Sequence, residues 1–178
     1  QIEKVIKQAK PDVVINAIGV LNREAADLKL SVKLNSELPV FLSQMGREQL
    51  FQLIQISTDC VFSGNRGSYT EMDVPDAVDD YGISKRGGEQ LDHKDLVIRT
   101  SIIGPEIRPQ GIGLLHWFLK QKGVVFGYEN VIWSGVTSLV LADAIIYAMN
   151  QKIEGLWHLV NNESISKASL LEIIQINF

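Results

Sequence analysis

Tyr81 and Lys85 are the two residues of this sequence whose types and spacing could do chemistry together. On a helix, residues four positions apart lie on one face, so the phenol and the ammonium would lie one turn apart. A tyrosine side chain ordinarily has a pKa of about 10, and a nearby lysine cation favours the phenolate and lowers that pKa. Such a pair can act as an acid or base beside a carbonyl or an alcohol. Taken alone, the spacing also fits an ordinary exposed helical pair.

Two hydroxyl groups come shortly before this pair, on Ser57 and Thr58. They lie within residues 51–62, an apolar run that predicts a buried strand delivering both hydroxyls at its carboxyl end. The loop over residues 63–80 that follows is rich in carboxylates. Their spacing is not that of an EF-hand, so a solvated loop is favoured over a metal site.

The elements that must position these residues alternate between helices and strands. Helices are predicted over residues 1–10, 23–49, 80–91, 114–122, 138–150 and 167–176. Strands are predicted over residues 12–19, 51–62, 95–104, 123–127 and 156–160. Gly46 is expected to let the second helix end, Ser166 to cap the last helix, and Gly87 and Gly88 to mark close packing on a neighbour or a cofactor. The alternation predicts an α/β fold with a parallel sheet.

Two further groups could border a ligand. Asn16, Ala17 and Ile18 follow the first strand, and ligands of α/β sheets bind beyond the carboxyl ends of strands. A plain strand-to-loop turn is the alternative for these three residues. Asn35 is an amide within the apolar stripe of the second helix, where a satisfied core amide explains it at least as well as a functional role.

Composition narrows the class of protein. The 178 residues are 46% hydrophobic and 21% charged, which suits a soluble domain with a sizeable core. The net charge of −4 gives no electrostatic case for binding nucleic acid or an anionic membrane. The single cysteine, Cys60, excludes an internal disulfide and fits the cytoplasm; a buried structural thiol explains it better than a nucleophile. Three scattered histidines lack metal-ligand spacing, so no metal is expected.

Four segments together carry a resemblance to a known family. They are Ile56-Ser-Thr-Asp-Cys-Val-Phe-Ser-Gly64, Tyr69-Thr-Glu71, Tyr81-Gly-Ile-Ser-Lys85 and Ile98-Arg-Thr-Ser101. In order and spacing they resemble the extended short-chain dehydrogenase/reductases, and most closely the dTDP-4-dehydrorhamnose reductase (RmlD-type) family. The resemblance implies a Rossmann-like, doubly wound parallel sheet whose N-terminal strands are missing, with a small C-terminal substrate-binding portion. The implied division is residues 1–104 for the partial dinucleotide-binding domain and 105–178 for the remainder.

The resemblance also implies a reaction, the reduction of a nucleotide-linked 4-keto sugar by NADPH or NADH in polysaccharide synthesis. Tyr81 would protonate the carbonyl oxygen, and Lys85 would lower the phenol pKa and hold the nicotinamide ribose. Thr58 would bind the developing oxyanion, with Ser57 as the alternative hydroxyl. The implied cofactor contacts are Asn16, Ala17, Ile18, Asn35, Ser57, Tyr81 and Lys85. The implied substrate contacts are Thr58, Cys60, Trp133 and Thr137, with core packing as the alternative for Trp133.

Other functions of the same superfamily stay open. A sugar-nucleotide epimerase or dehydratase is one, although Asp59-Cys60 follows Thr58 where a dehydratase usually carries Asp-Glu. A non-catalytic regulatory subunit is another, against which the retained acid/base pair counts. The Gly-rich phosphate turn that opens such folds does not occur here. We therefore expect the chain to be the middle of a larger cytoplasmic protein, inactive alone, with a homodimer left open and the choice between NAD and NADP unreadable.

Overall fold

The structure is a computed structural model that describes residues 1–21, 27–107 and 111–178. The predicted start of the second helix, residues 23–26, lies outside these ranges. Within them, no helix is both long and apolar enough to cross a membrane.

The described residues form two compact units, one of residues 1–100 with 147–158 and the other of residues 101–146 with 159–178. From the sequence, a single division of the chain into two parts was predicted after residue 104. The structure differs because the chain returns to the first unit, where the strand Gly155–His158 pairs with the sheet.

A parallel four-stranded sheet organises the first unit. In their order across the sheet, its strands are β1 (Val13–Asn16), β2 (Gln52–Ile56), β3 (Leu96–Arg99) and β7 (Gly155–His158). Leu53 and Ile54 of β2 are fully buried, as expected for a strand covered on both faces. The predicted mixed α/β fold with a parallel central sheet is confirmed.

Helices follow the strands, and the remaining short strands belong to the second unit. The helices are α1 (Ile2–Ala9), α2 (Leu28–Ser31), α3 (Leu38–Gln49), α4 (Asp80–Gly87), α5 (Leu114–Leu119), α6 (Ser138–Gln151) and α7 (Lys167–Asn177). The short strands are β4 (Ile102–Ile103), β5 (Ile132–Trp133), β6 (Val136–Thr137) and β8 (Ile165–Ser166). In the second unit β4 pairs with β6 and β5 with β8.

The predicted second helix is interrupted by a π-helical segment over Val32–Glu37, which joins α2 to α3. Pro39 at the start of α3 explains the widened turn, because it has no N–H to donate to the carbonyl of Asn35, four residues earlier. The amide of Leu38 bonds instead to the carbonyl of Lys33, five residues back. Widened turns of this kind are frequent at functional sites.

Several predicted boundaries were wrong. Residues 123–127 form no strand, and α4 ends at Gly87 rather than continuing to residue 91. The second helix does end at Gln49 as predicted, with Leu50 in the left-handed conformation, but it runs past Gly46 without a break. Gly46 serves packing instead, since a Cβ there would lie 2.8 Å from the carbonyl oxygen of Phe51.

Asp95 ties three elements of the first unit together just before β3. Its buried carboxylate accepts hydrogen bonds from Ser43 Oγ of α3 at 2.5 Å, Leu53 N of β2 at 2.9 Å and Lys94 Nζ at 2.7 Å. A buried carboxylate with this many donors is satisfied, so Asp95 holds α3 against the start of the sheet.

The second unit has its own apolar core. Leu115 of α5 packs with Leu170, Leu171 and Ile174 of α7. The predicted cap of α7 is confirmed, because Ser166 Oγ accepts a hydrogen bond from the amide of Ser169 at 3.0 Å.

Candidate functional site

Polar residues gather at the carboxyl ends of the four parallel strands. Asn16 ends β1, Ser57 and Thr58 follow β2, Arg99 ends β3 and His158 ends β7. Four of them, all but His158, are buried. Ligands of parallel α/β sheets bind at this edge, so the fold places the sequence-predicted hydroxyls where a ligand site is expected.

Thr58 caps the short 3₁₀ turn Asp59–Val61 that follows β2. Its Oγ1 accepts a hydrogen bond from the amide of Cys60 at 3.1 Å and lies 3.2 Å from Oδ1 of Asp59, to which it donates. This cap fixes the side chain at the strand end, so the Thr58 hydroxyl is held in place before any ligand binds.

Tyr81 reaches Thr58 because α4 packs closely on that turn. Asp79 caps α4 by accepting a hydrogen bond from the amide of Gly82 at 2.9 Å. A Cβ at Gly82 would overlap the carbonyl of Cys60. Glycine is therefore required at position 82, where it lets the first turn of α4 lie against the turn that Thr58 caps.

The pKa of Tyr81 is raised to about 12, chiefly because the phenol is buried. A hydrogen bond with Thr58 lowers it in part, and the negative charges of Asp59 and Asp79 raise it further. The phenol is therefore protonated at neutral pH. Its environment suits a proton donor rather than a preformed phenolate base.

Lys85 lies one turn along α4 and is buried. Its Nζ donates a hydrogen bond to the carbonyl of Ile56, the last residue of β2, at 2.8 Å. Burial lowers the pKa of Lys85 to about 8, against a raising effect of Glu89. Lys85 is not among the groups that shift the pKa of Tyr81 in this structure, and its predicted role of lowering that pKa stays a prediction.

A chain of buried amides connects that strand end with β1. Asn16 Nδ2 donates to Gln55 Oε1 at 2.7 Å, and Gln55 Nε2 donates to the Ile56 carbonyl at 2.9 Å, the same oxygen that Lys85 binds. Asn16 Oδ1 accepts from the amide of Ile18 at 3.2 Å. The Asn16 side chain thus shapes the loop after β1, while its predicted contact with a cofactor stays a prediction.

Asn35 is a satisfied core amide. In the π-helical segment its Oδ1 accepts from the amide of Val20 at 2.9 Å, and its Nδ2 donates to the carbonyl of Val20 at 3.1 Å and to Ser84 Oγ at 3.0 Å. Asn35 is 1% exposed. Of the two readings of this residue, the structure favours the core amide, which fastens the loop after β1 to α4 beside Lys85.

Packing at the end of α4 explains the two consecutive glycines. A Cβ at Gly88 would overlap the carbonyl of Asn35, and a Cβ at Gly87 would lie 2.7 Å from Ser36 Oγ. The close neighbour is therefore the π-helical segment. This contact sets the position of Lys85 relative to the loop after β1.

The loop after β1 offers an open surface beside Lys85. Ala17, Ile18 and Gly19 are exposed, and a methyl group at Gly19 would lie 3.7 Å from Lys85 Nζ. An ammonium has three N–H donors, of which one binds the Ile56 carbonyl within the described part of the chain. The remaining donors and the bare glycine backbone fit the hydroxyl groups of a dinucleotide ribose.

Glu89 and Arg99 lie at this edge and were not identified as site residues from the sequence. Ser57 Oγ donates to Glu89 Oε1 at 2.5 Å, and Arg99 binds both oxygens of Glu89, Nε to Oε1 at 3.0 Å and Nη2 to Oε2 at 2.7 Å. The side chains of Glu89 and Arg99 are 6% and 5% exposed. A charged residue inside an apolar strand, as Arg99 is in β3, was the available signal.

Cys60 departs from its prediction. The residue is exposed rather than buried, so the structural-thiol interpretation is wrong. Partial desolvation and the carboxylate of Asp59 raise the pKa of its thiol, and a protonated thiol is a poor nucleophile. Its assignment as a substrate contact stays a prediction.

The other two predicted substrate residues, Trp133 and Thr137, lie in the second unit. Trp133 packs against the core of that unit and donates from Nε1 to Ser101 Oγ at 2.8 Å, with Lys167 Nζ 5.5 Å from its ring centroid. Thr137 is exposed, and its Oγ1 accepts from the amide of Val140 at the start of α6 at 3.2 Å. Both have structural contacts, and their substrate roles stay predictions.

Among residues 1–21, 27–107 and 111–178, no three acidic, histidine or cysteine side chains are grouped to hold a metal ion.

A family model, described as the RmlD substrate binding domain, matches residues 1–176. The chain belongs to this family. A dTDP-4-dehydrorhamnose reductase from Aggregatibacter actinomycetemcomitans is 32% identical over 104 residues, which are 54% of this chain and 35% of that protein.

Solved structures agree with this assignment. A hypothetical dTDP-4-dehydrorhamnose reductase from Sulfolobus tokodaii is 29% identical, with a TM-score of 0.87 over 99% of this chain and 65% of its own. A dTDP-4-dehydrorhamnose reductase from Bacillus anthracis in complex with NADP shares the fold at 22% identity, with a TM-score of 0.88 over 99% of this chain and 65% of its own. The RmlD-type chain thus spans about a third of the curated relative and just under two thirds of each structure.

Proposed function

We propose that the protein containing this chain reduces the keto group of a nucleotide-linked 4-keto sugar with NADPH or NADH. The observation that carries the proposal is the arrangement at the carboxyl end of β2. There the half-buried phenol of Tyr81 interacts with the capped hydroxyl of Thr58, with Lys85 one turn along the same helix. The names of the similar proteins, dTDP-4-dehydrorhamnose reductases, support the substrate class.

The residues divide the work of a carbonyl reduction. When bound, a reduced nicotinamide supplies the hydride to the keto carbon. The Thr58 hydroxyl, which has one proton, turns it from Asp59 Oδ1 to the carbonyl oxygen as negative charge develops there. Tyr81 gives its proton to that oxygen, and a pKa of about 12 leaves the phenol a weaker base than the alkoxide it protonates, so the transfer is downhill.

Lys85 and the loop after β1 hold the cofactor. The exposed backbone of Ala17, Ile18 and Gly19 lies beside the Lys85 ammonium, so ribose hydroxyls can bind between them. Asn35 acts through Val20 and Ser84, which makes it a positioning residue. Ser57 is held by Glu89 and stands beside Thr58 as a further hydroxyl.

The test is turnover of a nucleoside-diphosphate 4-keto sugar by the protein expressed from its complete gene, followed by loss of NADPH absorbance. Tyr81→Phe should lower kcat by about 10²–10⁴-fold and leave NADPH affinity nearly unchanged. Tyr147→Phe, at an exposed tyrosine of α6, is the matched control and should keep full activity. Near-normal turnover of Tyr81→Phe, or no turnover by the unsubstituted protein, would refute the proposal.

A further inference from the structure

Arg99 and Glu89 form a buried ion pair that contacts both ends of the segment carrying Thr58. Arg99 Nε lies 3.0 Å from Glu89 Oε1, and Arg99 Nη2 lies 2.7 Å from Glu89 Oε2. Pairing through two parallel hydrogen bonds fixes the plane of the guanidinium relative to the carboxylate. The pair is therefore a rigid base, from which one contact reaches the residue before Thr58 and another reaches the residue after the turn Asp59–Val61.

The first contact holds Ser57, the residue before Thr58. Ser57 Oγ donates a hydrogen bond to Glu89 Oε1 at 2.5 Å. Glu89 is the partner of a guanidinium, and an ionised carboxylate only accepts hydrogen bonds, so the single proton of the serine hydroxyl lies between the two oxygens. Ser57 consequently has no proton left for a developing oxyanion, and Thr58 is the hydroxyl that can supply one.

The second contact holds Phe62, which ends the turn. The amide of Phe62 donates to the carbonyl of Asp59 at 3.0 Å. The guanidinium of Arg99 lies over the Phe62 ring, 5.0 Å from its centroid, where a cation is attracted by the aromatic face. Tyr69 stacks on the same ring with the centroids 4.3 Å apart. Residues 58–61 are thus held at both ends by one ion pair.

We propose that Arg99, together with Glu89, is a positioning residue that fixes the hydroxyl of Thr58 by holding Ser57 and Phe62. The inference deepens the proposed function and rests on it, because Thr58 is the group proposed to bind the developing oxyanion. Arg99 acts through its two neighbours rather than on the substrate. A buried ion pair is often no better for stability than apolar residues of similar volume, so the placement of Thr58 gives this pair a role that stability alone does not.

The informative variant is Arg99→Lys, in the protein expressed from its complete gene. Lysine keeps a positive charge opposite Glu89, so neither charge is left buried alone. It lacks the planar fork that binds both carboxylate oxygens and lies on the Phe62 ring. A displacement of the reacting groups on the order of 1 Å can lower turnover by about 10²-fold, so kcat should fall by about 10–10²-fold. The Kd for NADPH should stay nearly unchanged, because the proposed cofactor contact of Lys85 does not involve Arg99.

A second readout follows the turn itself. Thr58 Oγ1 accepts a hydrogen bond from the amide of Cys60 at 3.1 Å, so hydrogen exchange of the Cys60 amide, measured by NMR, reports whether this cap is intact. Exchange should accelerate in Arg99→Lys. The amide of Leu53, buried in β2 and bound to Asp95, should change only as far as global stability changes, which separates local loosening from a general loss of stability.

Two variants remove one contact each and leave the Glu89–Arg99 pair intact. They are Ser57→Ala and Phe62→Leu, and they test the inference if Arg99→Lys does not fold. Each should accelerate exchange of the Cys60 amide and lower kcat by less than Arg99→Lys does. A fall in kcat for Ser57→Ala with unchanged Cys60 exchange would make Ser57 a direct contact of the substrate and would overturn the inference.

Ser43→Ala is the matched control. Ser43 Oγ also donates to a buried carboxylate, that of Asp95, at 2.5 Å, but this contact lies at the start of the sheet rather than at its carboxyl edge. Ser43→Ala should lower stability as Ser57→Ala does. Its kcat and its Cys60 exchange, measured under conditions where it is folded, should equal those of the unsubstituted protein.

The outcomes separate the inference from the function on which it rests. A folded Arg99→Lys with unchanged kcat and unchanged Cys60 exchange would refute it, and so would equal acceleration at Cys60 and Leu53, which a purely structural role predicts. If the unsubstituted protein does not turn over a nucleoside-diphosphate 4-keto sugar, the proposed function fails. The exchange measurement still decides in that case whether the ion pair holds the turn.

Discussion

Replacing Lys85 with methionine should make the protein more stable at neutral pH while damaging its function. Lys85 is 7% exposed, and its pKa falls from 10.5 to about 8 on burial. At 1.36 kcal/mol for each pH unit, this fall corresponds to about 3 kcal/mol against the charged form in the folded protein. Methionine has a similar length and carries no charge, so Lys85→Met should recover up to about 3 kcal/mol.

The stability gained by Lys85→Met should depend on pH in a definite direction. Between pH 8 and pH 10.5 the unfolded lysine is protonated and the folded one is not, so the stability of the unsubstituted protein rises with pH in that window. Below pH 8 both states are protonated and the full cost is present. The advantage of Lys85→Met should therefore be largest at pH 7 and disappear toward pH 10.5.

The hydrogen bond that Lys85 makes does not reverse this result. Its acceptor, the carbonyl of Ile56, also accepts a hydrogen bond from Gln55 Nε2 at 2.9 Å, so the carbonyl stays satisfied in the variant. Lys94→Met is the matched control. Lys94 Nζ lies partly in solvent and binds the Phe51 carbonyl and Asp95, so its loss should lower stability.

The assay is urea unfolding of the complete protein followed by circular dichroism at several values between pH 7 and pH 10. NADPH affinity of Lys85→Met is measured in parallel and should fall. A variant that is less stable than the unsubstituted protein at pH 7, or whose advantage does not shrink as the pH rises, would refute the reasoning.

Three further predictions test the supporting contacts and the substrate side. Asn35→Ala leaves the buried amide and carbonyl of Val20 without their partner, so it should lower the free energy of unfolding by about 2–4 kcal/mol. Hydrogen exchange of the Val20 amide should accelerate, and a variant as stable as the unsubstituted protein would contradict the role given to these two hydrogen bonds. Gly88→Ala places a methyl group against the Asn35 carbonyl and should lower the free energy of unfolding by about 1–3 kcal/mol. The control is Arg86→Ala at an exposed position of the same helix, which should change that free energy by less than about 0.5 kcal/mol. Trp133→Ala should raise KM for the nucleotide sugar and spare NADPH affinity; lower stability with an unchanged KM would assign Trp133 to the core alone.

The periodic elements of the first unit could be predicted because pattern and propensity agree there. Residues 52–56 are apolar apart from their two glutamines and β-prone, and they form the buried central strand. The first helix ends before Pro11 as expected. The strand predicted over 123–127 failed because a short β-branched run has no partner strand to pair with in the described second unit, and propensity alone does not hold a strand.

The chemistry at the site was predictable by residue type but not by environment. The spacing of Tyr81 and Lys85 placed both on α4. It did not reveal that Lys85 Nζ turns to the Ile56 carbonyl, nor that Glu89 lies behind the site. Such contacts depend on how α4 packs on the turn Asp59–Val61 and on the π-helical segment. Gly82, Gly87 and Gly88 set this packing, and the sequence analysis predicted only that Gly87 and Gly88 mark a close neighbour.

Burial moves the two functional groups of α4 in opposite directions. It raises the pKa of Tyr81 to about 12 and lowers that of Lys85 to about 8, because a buried site disfavours charge of either sign. The phenol consequently keeps its proton at neutral pH, and the negative charge of Glu89 offsets part of the effect of burial on the ammonium. Tyr81 can therefore donate a proton at pH 7 while Lys85, one turn away on α4, still carries its charge, and these are the protonation states that the proposed reduction needs.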